Sequence, residues 1–234
     1  MNSARWAIFS DIHSNLEALT AVVDDIRQQG ITQMLCLGDI VGYNANPAEC
    51  LELVRRLECP VLQGNHDLLA AVDDQDRLRD FNPVAIAGVL FSRSQLSAEQ
   101  KKWLAALPMN LKFAGFGAVH ASLFEPEEWH YITSLFAARA HFASQDSPIY
   151  LHGHTHYPMV FTQEVKSQMC DVIQPRPDKV MFLPEYRYLI NCGAVGQPRD
   201  RDPRACYGIL DLGEQRFEFR RVTYDIQRAQ KKIH

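Results

Sequence analysis

Five short segments of this chain carry side chains that bind metals or move protons. They are S-D-I-H (Ser10 to His13), G-D-I-V-G (Gly38 to Gly42), G-N-H-D (Gly64 to Asp67), V-H (Val119, His120) and H-G-H-T-H (His152 to His156). Their Asp, Asn and His residues are oxygen and nitrogen ligands suited to Mn, Fe, Zn, Co or Ni. Asp11 and His13, like His154 and His156, are separated by one residue. In an extended backbone each pair points the same way and addresses one small volume. The glycines ahead of Asp39, Asn65 and His154 allow sharp turns and close backbone approach. One carboxylate can bridge two cations, and Asp39 is the best candidate. Two divalent ions about 3.5–4 Å apart bind a phosphate, turn a water into hydroxide and stabilise the entering and leaving oxygens. No G-x-S-x-G elbow, phosphate-binding G-x-x-x-x-G-K-[ST] loop, H-E-x-x-H or dinucleotide G-x-G-x-x-G following a strand competes with this reading.

The surrounding pattern supplies elements to position these segments. Ala4 to Phe9, Gln33 to Leu37 and Val61–Leu62 read as short apolar strands, and each is followed by one of the segments. Asn15 to Gln29 reads as a helix, with Leu16, Leu19, Val22, Val23 and Ile26 at helical spacing and Gly30 as its stop. Pro47 to Leu57 is a second helix, with its proline in the first turn. The alternation implies a sheet with parallel neighbours and helices outside it, and in such folds ligands gather beyond the carboxyl ends of strands. Residues 68–107 are rich in helix formers and read as a helical insert over or beside the sheet edge. Ser97 with Gln100 forms an expected capping box there. Met109 to Phe113 and Phe116 to Val119 read as strands joined at Ala114–Gly115. Thr133 to Phe142 reads as a helix, Ile149 to Leu151 as a strand, and Met159 to Arg221 as mostly strand, in the runs MVFT, VMFL, YRYLIN, CYGILDL and RFEFRRV. Tyr224 to Lys232 closes the chain as a helix. With 234 residues the chain is expected to form one α/β domain over 1–234.

The order D-x-H, G-D, G-N-H-D, H, G-H-x-H over Asp11 to His156 resembles the calcineurin-like metallophosphoesterase family. The stretch N-C-G-A-V-G-Q-P-R-D-R-D-P-R-A-C-Y (Asn191 to Tyr207) resembles its small bacterial and archaeal members. The resemblance implies two mixed β-sheets packed as a sandwich and flanked by helices. It implies a first metal held by Asp11, His13 and His156, a second by Asn65, His120 and His154, and a bridging Asp39. His66 would not be a ligand but a general acid or charge stabiliser at the leaving oxygen, a role that suits an imidazole. The cofactors implied are two divalent ions, manganese first among Mn, Fe, Zn, Ni and Co. The reaction implied is attack of metal-bound hydroxide on a phosphomonoester or phosphodiester, nucleotide-like esters included. A protein phosphatase and a metal-binding scaffold without turnover are the alternatives.

Other residues near these segments have two readings each. Asn15 either touches substrate or caps the next helix, where Asn is favoured. Arg199 is a candidate phosphate contact, while Arg201 and Arg204 share its loop with Asp200 and Asp202. Asp67 reads as structural support for the centre, and His152 as a neighbour able to orient a ligand. Tyr43 and Asn44 either line the pocket or pack within their loop. His130, His141 and His234 read as surface or packing residues. The formal net charge of −4 argues against a duplex nucleic-acid partner, which would need many Lys and Arg contacts; a small phosphorylated substrate is the expected partner. No run of about 18 apolar residues supports a membrane span. No secretory pattern opens the sequence, and the expected location is cytoplasmic. The 6 cysteines are scattered and no disulfide framework is expected.

Overall fold

A computed structural model describes residues 4–79, 81–173 and 178–233. In chain order the elements are β1 (Arg5–Phe9), α1 (Leu16–Gln28), β2 (Gln33–Cys36), α2 (Pro47–Arg56), α3 (Asn65–Ala71), α4 (Gln75–Leu78), α5 (Pro83–Gln95) and α6 (Ala98–Ala105). Then come β3 (Asn110–Phe113), β4 (Phe116–Val119), α7 (Leu135–Ser144), β5 (Ile149–His152), β6 (Met159–Glu164), β7 (Cys170–Val172), β8 (Lys179–Met181), β9 (Tyr186–Asn191), β10 (Ala205–Asp211), β11 (Arg216–Val222) and α8 (Ile226–Lys231). Among the described residues these strands form a 5-stranded sheet, β2-β1-β10-β11-β8, and a 6-stranded sheet, β3-β4-β5-β9-β6-β7. Both are mixed. β1 runs parallel to β2 and antiparallel to β10, while β5 runs parallel to β4 and β9, and β6 antiparallel to β9.

Alternation along the strands builds three apolar layers. Ile8, Leu35, Leu210 and Phe217 of the first sheet meet Ala118, Leu151, Val160 and Ile190 of the second in the inter-sheet core. The intervening residues Ala7, Phe9 and Tyr207 face outward onto Leu19, Val22 and Ile26 of α1 and Leu51 and Val54 of α2. Tyr150, Phe161 and Leu189 face the other way, onto Ala138 and Phe142 of α7. The molecule is a helix–sheet–sheet–helix sandwich, as the sequence led us to expect.

Several local expectations need correction. Val61–Leu62 is not a strand: Val61 forms one isolated parallel bridge to Cys36. Pro60 has no N–H, and the chain turns at Gly64, so pairing is confined to the bonds from Cys36 N to Pro60 O (3.1 Å) and Leu62 N to Cys36 O (2.9 Å). The G-N-H-D segment opens a helix at Asn65, earlier than the expected start at residue 68. Within 68–107 the rest of α3 is followed by α4, α5 and α6. α6 begins with the expected capping box, Gln100 N to Ser97 Oγ at 3.2 Å and Ser97 N to Gln100 Oε1 at 2.9 Å. β7 was not expected; it is a three-residue edge strand with too short an apolar pattern to register. Cys36, Cys192 and Cys206 are buried, and none of the 6 cysteines is disulfide-bonded among the described residues. Among those residues no helix is long and apolar enough to cross a membrane. His234 lies outside the described residues.

Candidate metal centre

The motif segments meet where β1, β2, β4 and β5 end, and the backbone does more of the aiming than extended geometry would. Asp11, His13, Asp39, His154 and His156 all have positive φ, between 46° and 66°. The paired side chains converge from left-handed turns, not from a pleated strand as expected. Such conformations cost non-glycine residues roughly 1–2 kcal/mol each, and the surrounding structure must hold them. Backbone hydrogen bonds do so. Asp11 N donates to Gly38 O (3.0 Å), His13 N to Asp39 O (2.9 Å) and Gly196 N to Asp11 O (2.9 Å). Two glycines allow the approach: a Cβ on Gly64 would lie 2.1 Å from Asp39 Oδ1, and one on Gly153 would lie 2.1 Å from Ser10 Oγ.

Two buried donor groups result. Asp11, His13, Asp39 and His156 offer ligand atoms within 4.8 Å of one another, and so do Asp39, His120 and His154. Asp39 belongs to both. Its Oδ1 accepts the His66 peptide N–H (2.9 Å), while Oδ2 faces His13 Nε2 at 3.6 Å and His120 Nε2 at 3.3 Å. The Nδ1 atoms of His13, His120 and His156 lie 3.0, 2.8 and 2.8 Å from the carbonyls of Val41, Leu37 and Gln197. A carbonyl can only accept, so each Nδ1 carries a proton, and in the neutral imidazole Nε2 presents a lone pair. Two of those lone pairs, on His13 and His156, face each other at 3.0 Å. That contact is repulsive unless a cation or proton lies between. His120 Nε2, His154 Nε2 and Asn65 Oδ1 are buried without a hydrogen-bond partner. Unsatisfied buried acceptors of this kind are costly, and the donor set fits divalent cations.

Electrostatics agree. Burial pushes the Asp11 carboxyl up to about 7 and lowers His13, His154 and His156, the last to about 3. Burial would also raise Asp39, but the charges of His120, His66 and His13 hold it well below the ordinary carboxylate range. Burial would lower His120, yet Asp39 and Asp11 lift it to about 9. The metal-free pocket therefore favours neutral His13, His154 and His156, with a charged His120 beside an ionised Asp39.

The chain matches the family model described as the calcineurin-like phosphoesterase superfamily domain over residues 5–215. An uncharacterised protein of Methanocaldococcus jannaschii is 39% identical over 231 residues, covering 97% of this chain and 90% of its own. The chain belongs to the calcineurin-like phosphoesterase superfamily. The crystal structure of a metallophosphoesterase from Sphaerobacter thermophilus superposes with a TM-score of 0.83 at 36% identity, covering 98% of this chain and 92% of the other. A hypothetical protein from Pyrococcus horikoshii shares the fold, with TM-score 0.77 at 20% identity over 98% and 92% of the two chains.

In this calcineurin-like phosphoesterase the neighbouring residues sort themselves. His66 is buried and borders a cavity of about 570 Å³ together with Asn65 and His154. Burial lowers its pKa, with Asp39 opposing. Asp67 is a tie between loops: Oδ1 accepts from Ile40 N (2.9 Å) and Val41 N (3.2 Å), and Oδ2 from Gly64 N (3.1 Å). Asn15 caps α1: its Oδ1 accepts from Ala18 N (3.1 Å), while Nδ2 donates to Gly196 O (3.0 Å). Arg199 is exposed at the rim, where it reaches Gln197 Oε1 (2.9 Å) and the Tyr43 hydroxyl (3.4 Å). Asp202 pairs with Arg204, while Asp200 pairs with Arg221. Asn44 donates to His13 O at 2.8 Å, which is loop packing. His152 is buried near Asn191 Nδ2 (3.4 Å), His130 sits on the surface against Glu125 (3.0 Å), and His141 packs behind the Leu123 N–H (3.2 Å).

Sequence reasoning missed Asn191 and Tyr131. Asn191 donates to Gly153 O and to Thr155 Oγ1 (2.9 Å), and accepts from Gly193 N (2.8 Å), bracing the turn that carries His154. Its place at the end of an apolar strand, before Cys192–Gly193, was the available signal. Tyr131 stacks on His154 at 4.1 Å between ring centres, and nothing in its local sequence announces that.

Proposed function

We propose that this chain hydrolyses phosphate esters, monoester or diester, on a pair of divalent metal ions, manganese first among the candidates, with small and nucleotide-like esters as substrates. The observation that carries the reading is the shared Asp39: one oxygen, Oδ2, faces ring nitrogens of both donor groups. Asp11, His13 and His156 would hold one ion, and Asn65, His120 and His154 the other. Bound there, the ions would supply the charge that polarises the phosphate and ionises the attacking water.

The chain's own residues do the rest. The His66 peptide N–H fixes Asp39 Oδ1 and so leaves Oδ2 turned between the two groups. The three backbone carbonyls hold His13, His120 and His156 in the tautomer that binds cations. The His66 imidazole, bordering the cavity, stabilises or protonates the leaving oxygen. Arg199, at the rim beside His156, contacts a non-bridging phosphate oxygen. The four coordinates of the test are metal content, chelation, re-addition of Mn²⁺, and turnover of a panel: an aryl phosphodiester, a nucleoside cyclic phosphate, a dinucleoside polyphosphate and a phosphopeptide. Activity that survives complete removal of metal would end the proposal.

A further inference from the structure

The cavity beside the candidate centre is built from two distant parts of the chain. α3 and the segment after α4 supply Leu69 and Phe81; the segment after β4 supplies Trp129 and Tyr131. Four aromatic rings rest against histidines of the centre. Tyr43 and Phe81 lie 4.8 and 5.3 Å from His66, Trp129 lies 5.8 Å from His120, and Tyr131 lies 4.1 Å from His154. Tyr43, Phe81 and Trp129 are only partly buried and Tyr131 is 53% exposed, so the collar keeps open ring surface. Open aromatic surface lining a cavity of this size suits a flat guest, which recovers contact area and stacking together.

Charge around the centre is divided. Among the described residues lining the cavity, Arg77 is the only Lys or Arg. Its guanidinium is already engaged, with Glu127 O at 3.1 Å and Asp74 Oδ2 at 3.5 Å. Glu127 and Glu128 stand exposed on the same wall. Arg199 is not in that lining, but it stands at its rim: its peptide N–H donates to His156 O (3.2 Å) and its guanidinium reaches the Tyr43 hydroxyl (3.4 Å). An ester at the centre therefore meets positive charge from Arg199 where it stands by Tyr43 and Tyr131, and acidic groups at Glu127 and Glu128.

The geometry points to a substrate whose leaving group carries an uncharged planar ring, seated between Phe81 and the Trp129–Tyr131 wall, with Glu127 and Glu128 selecting against a leaving group that bears a second phosphate. This assignment rests on the hydrolytic reading of the same site. The ring can be a nucleoside base or a simple aryl group, since both offer a flat uncharged face.

The test uses the metal-loaded protein and phosphate esters of similar leaving-group acidity: ethyl, cyclohexylmethyl, naphthylmethyl, and naphthylmethyl carrying a distal phosphate. A nucleoside ester is run beside them to separate the two ring sources. The naphthylmethyl ester is expected to exceed the cyclohexylmethyl ester about tenfold in kcat/KM, near 1.4 kcal/mol. Trp129→Ala and Phe81→Ala should collapse that ratio, mainly through KM. The distal phosphate should reduce kcat/KM, and the double variant Glu127→Gln/Glu128→Gln should recover it several-fold. Equal efficiency for planar and saturated rings, or a Trp129→Ala loss of the same size on every ester, would overturn the assignment while leaving hydrolysis intact. Should a metal-loaded protein turn over no ester, the hydrolytic reading fails, and calorimetry with naphthylmethanol then judges the ring site by itself. Binding that weakens about tenfold in Trp129→Ala supports it, and absence of binding refutes it.

Discussion

At the scale of single residues, the centre gathers buried acceptor atoms that lack a donor. The facing Nε2 atoms of His13 and His156, 3.0 Å apart, and the unpartnered Asn65 Oδ1 are buried at a cost the fold would otherwise avoid. Asp39→Ala is expected to lose more than about a hundredfold in metal affinity and nearly all hydrolysis, since changes even to groups supporting a ligand reach about that size. Metal analysis of the dialysed variant, with assay, checks both. His66→Ala makes a different prediction. Both ions should be retained, and the rate on alkyl esters should fall by roughly 10²–10⁴, much more than on aryl esters that leave without a proton. Equal losses on the two ester classes would remove His66 from the leaving oxygen.

At the scale of elements, the turns that end β1, β2 and β5 hold their donors in left-handed conformations, and side chains from other elements brace them. Asp67, at the start of α3, ties down the loop after β2 through the N–H groups of Ile40 and Val41. Asp67→Ala leaves those donors and Gly64 N unpaired and should cost about 3 kcal/mol or more in urea unfolding, with weaker metal binding as a consequence. A variant as stable as the parent would show that water replaces the carboxylate. This element was half legible in the sequence. The motif G-N-H-D was visible, but the helix it opens was not, because Gly64 and the short run after it look like a loop until Asp67 folds back. Likewise the extended D-x-H and H-T-H geometry was the natural reading of their spacing. It failed because bonds to Gly38, Asp39 and Asp11, from other segments, impose positive φ.

At the scale of the whole molecule, stability and pH are linked through the buried histidines. Burial lowers His152 and His156 to about 3 and holds His13, His141 and His154 well below 6.5. Groups depressed on folding stabilise fully above their unfolded pKa, near 6.5, and lose that contribution as the pH falls toward 3. Asp11 and Asp67, raised to about 7 by burial, and His120, raised to about 9 by Asp39 and Asp11, act oppositely: the carboxyl contributions are lost as the pH rises from about 4 to 7, and that of His120 from about 6.5 to 9. The depressed histidines outnumber these raised groups, so acidification below 6.5 is expected to destabilise the metal-free protein. Bound metal deepens this trend, because it binds ionised Asp11 and unprotonated imidazoles. Thermal midpoints with and without chelator should therefore differ most near pH 7.5 and converge toward pH 4. Coincident midpoints at pH 7.5 would contradict a metal centre in the folded protein.

The sequence by itself determined the residue types and their order, and through the family resemblance these carried the sandwich. Metal chemistry demands particular donors, and apolar alternation in a strand such as RFEFRRV demands one covered face. Tertiary structure decided which way those donors point, that Asn15 caps the helix, and that Phe81 lines one cavity with Trp129 and Tyr131. These facts follow from contacts between segments tens of residues apart, and no local pattern encodes a contact whose partner lies elsewhere in the chain.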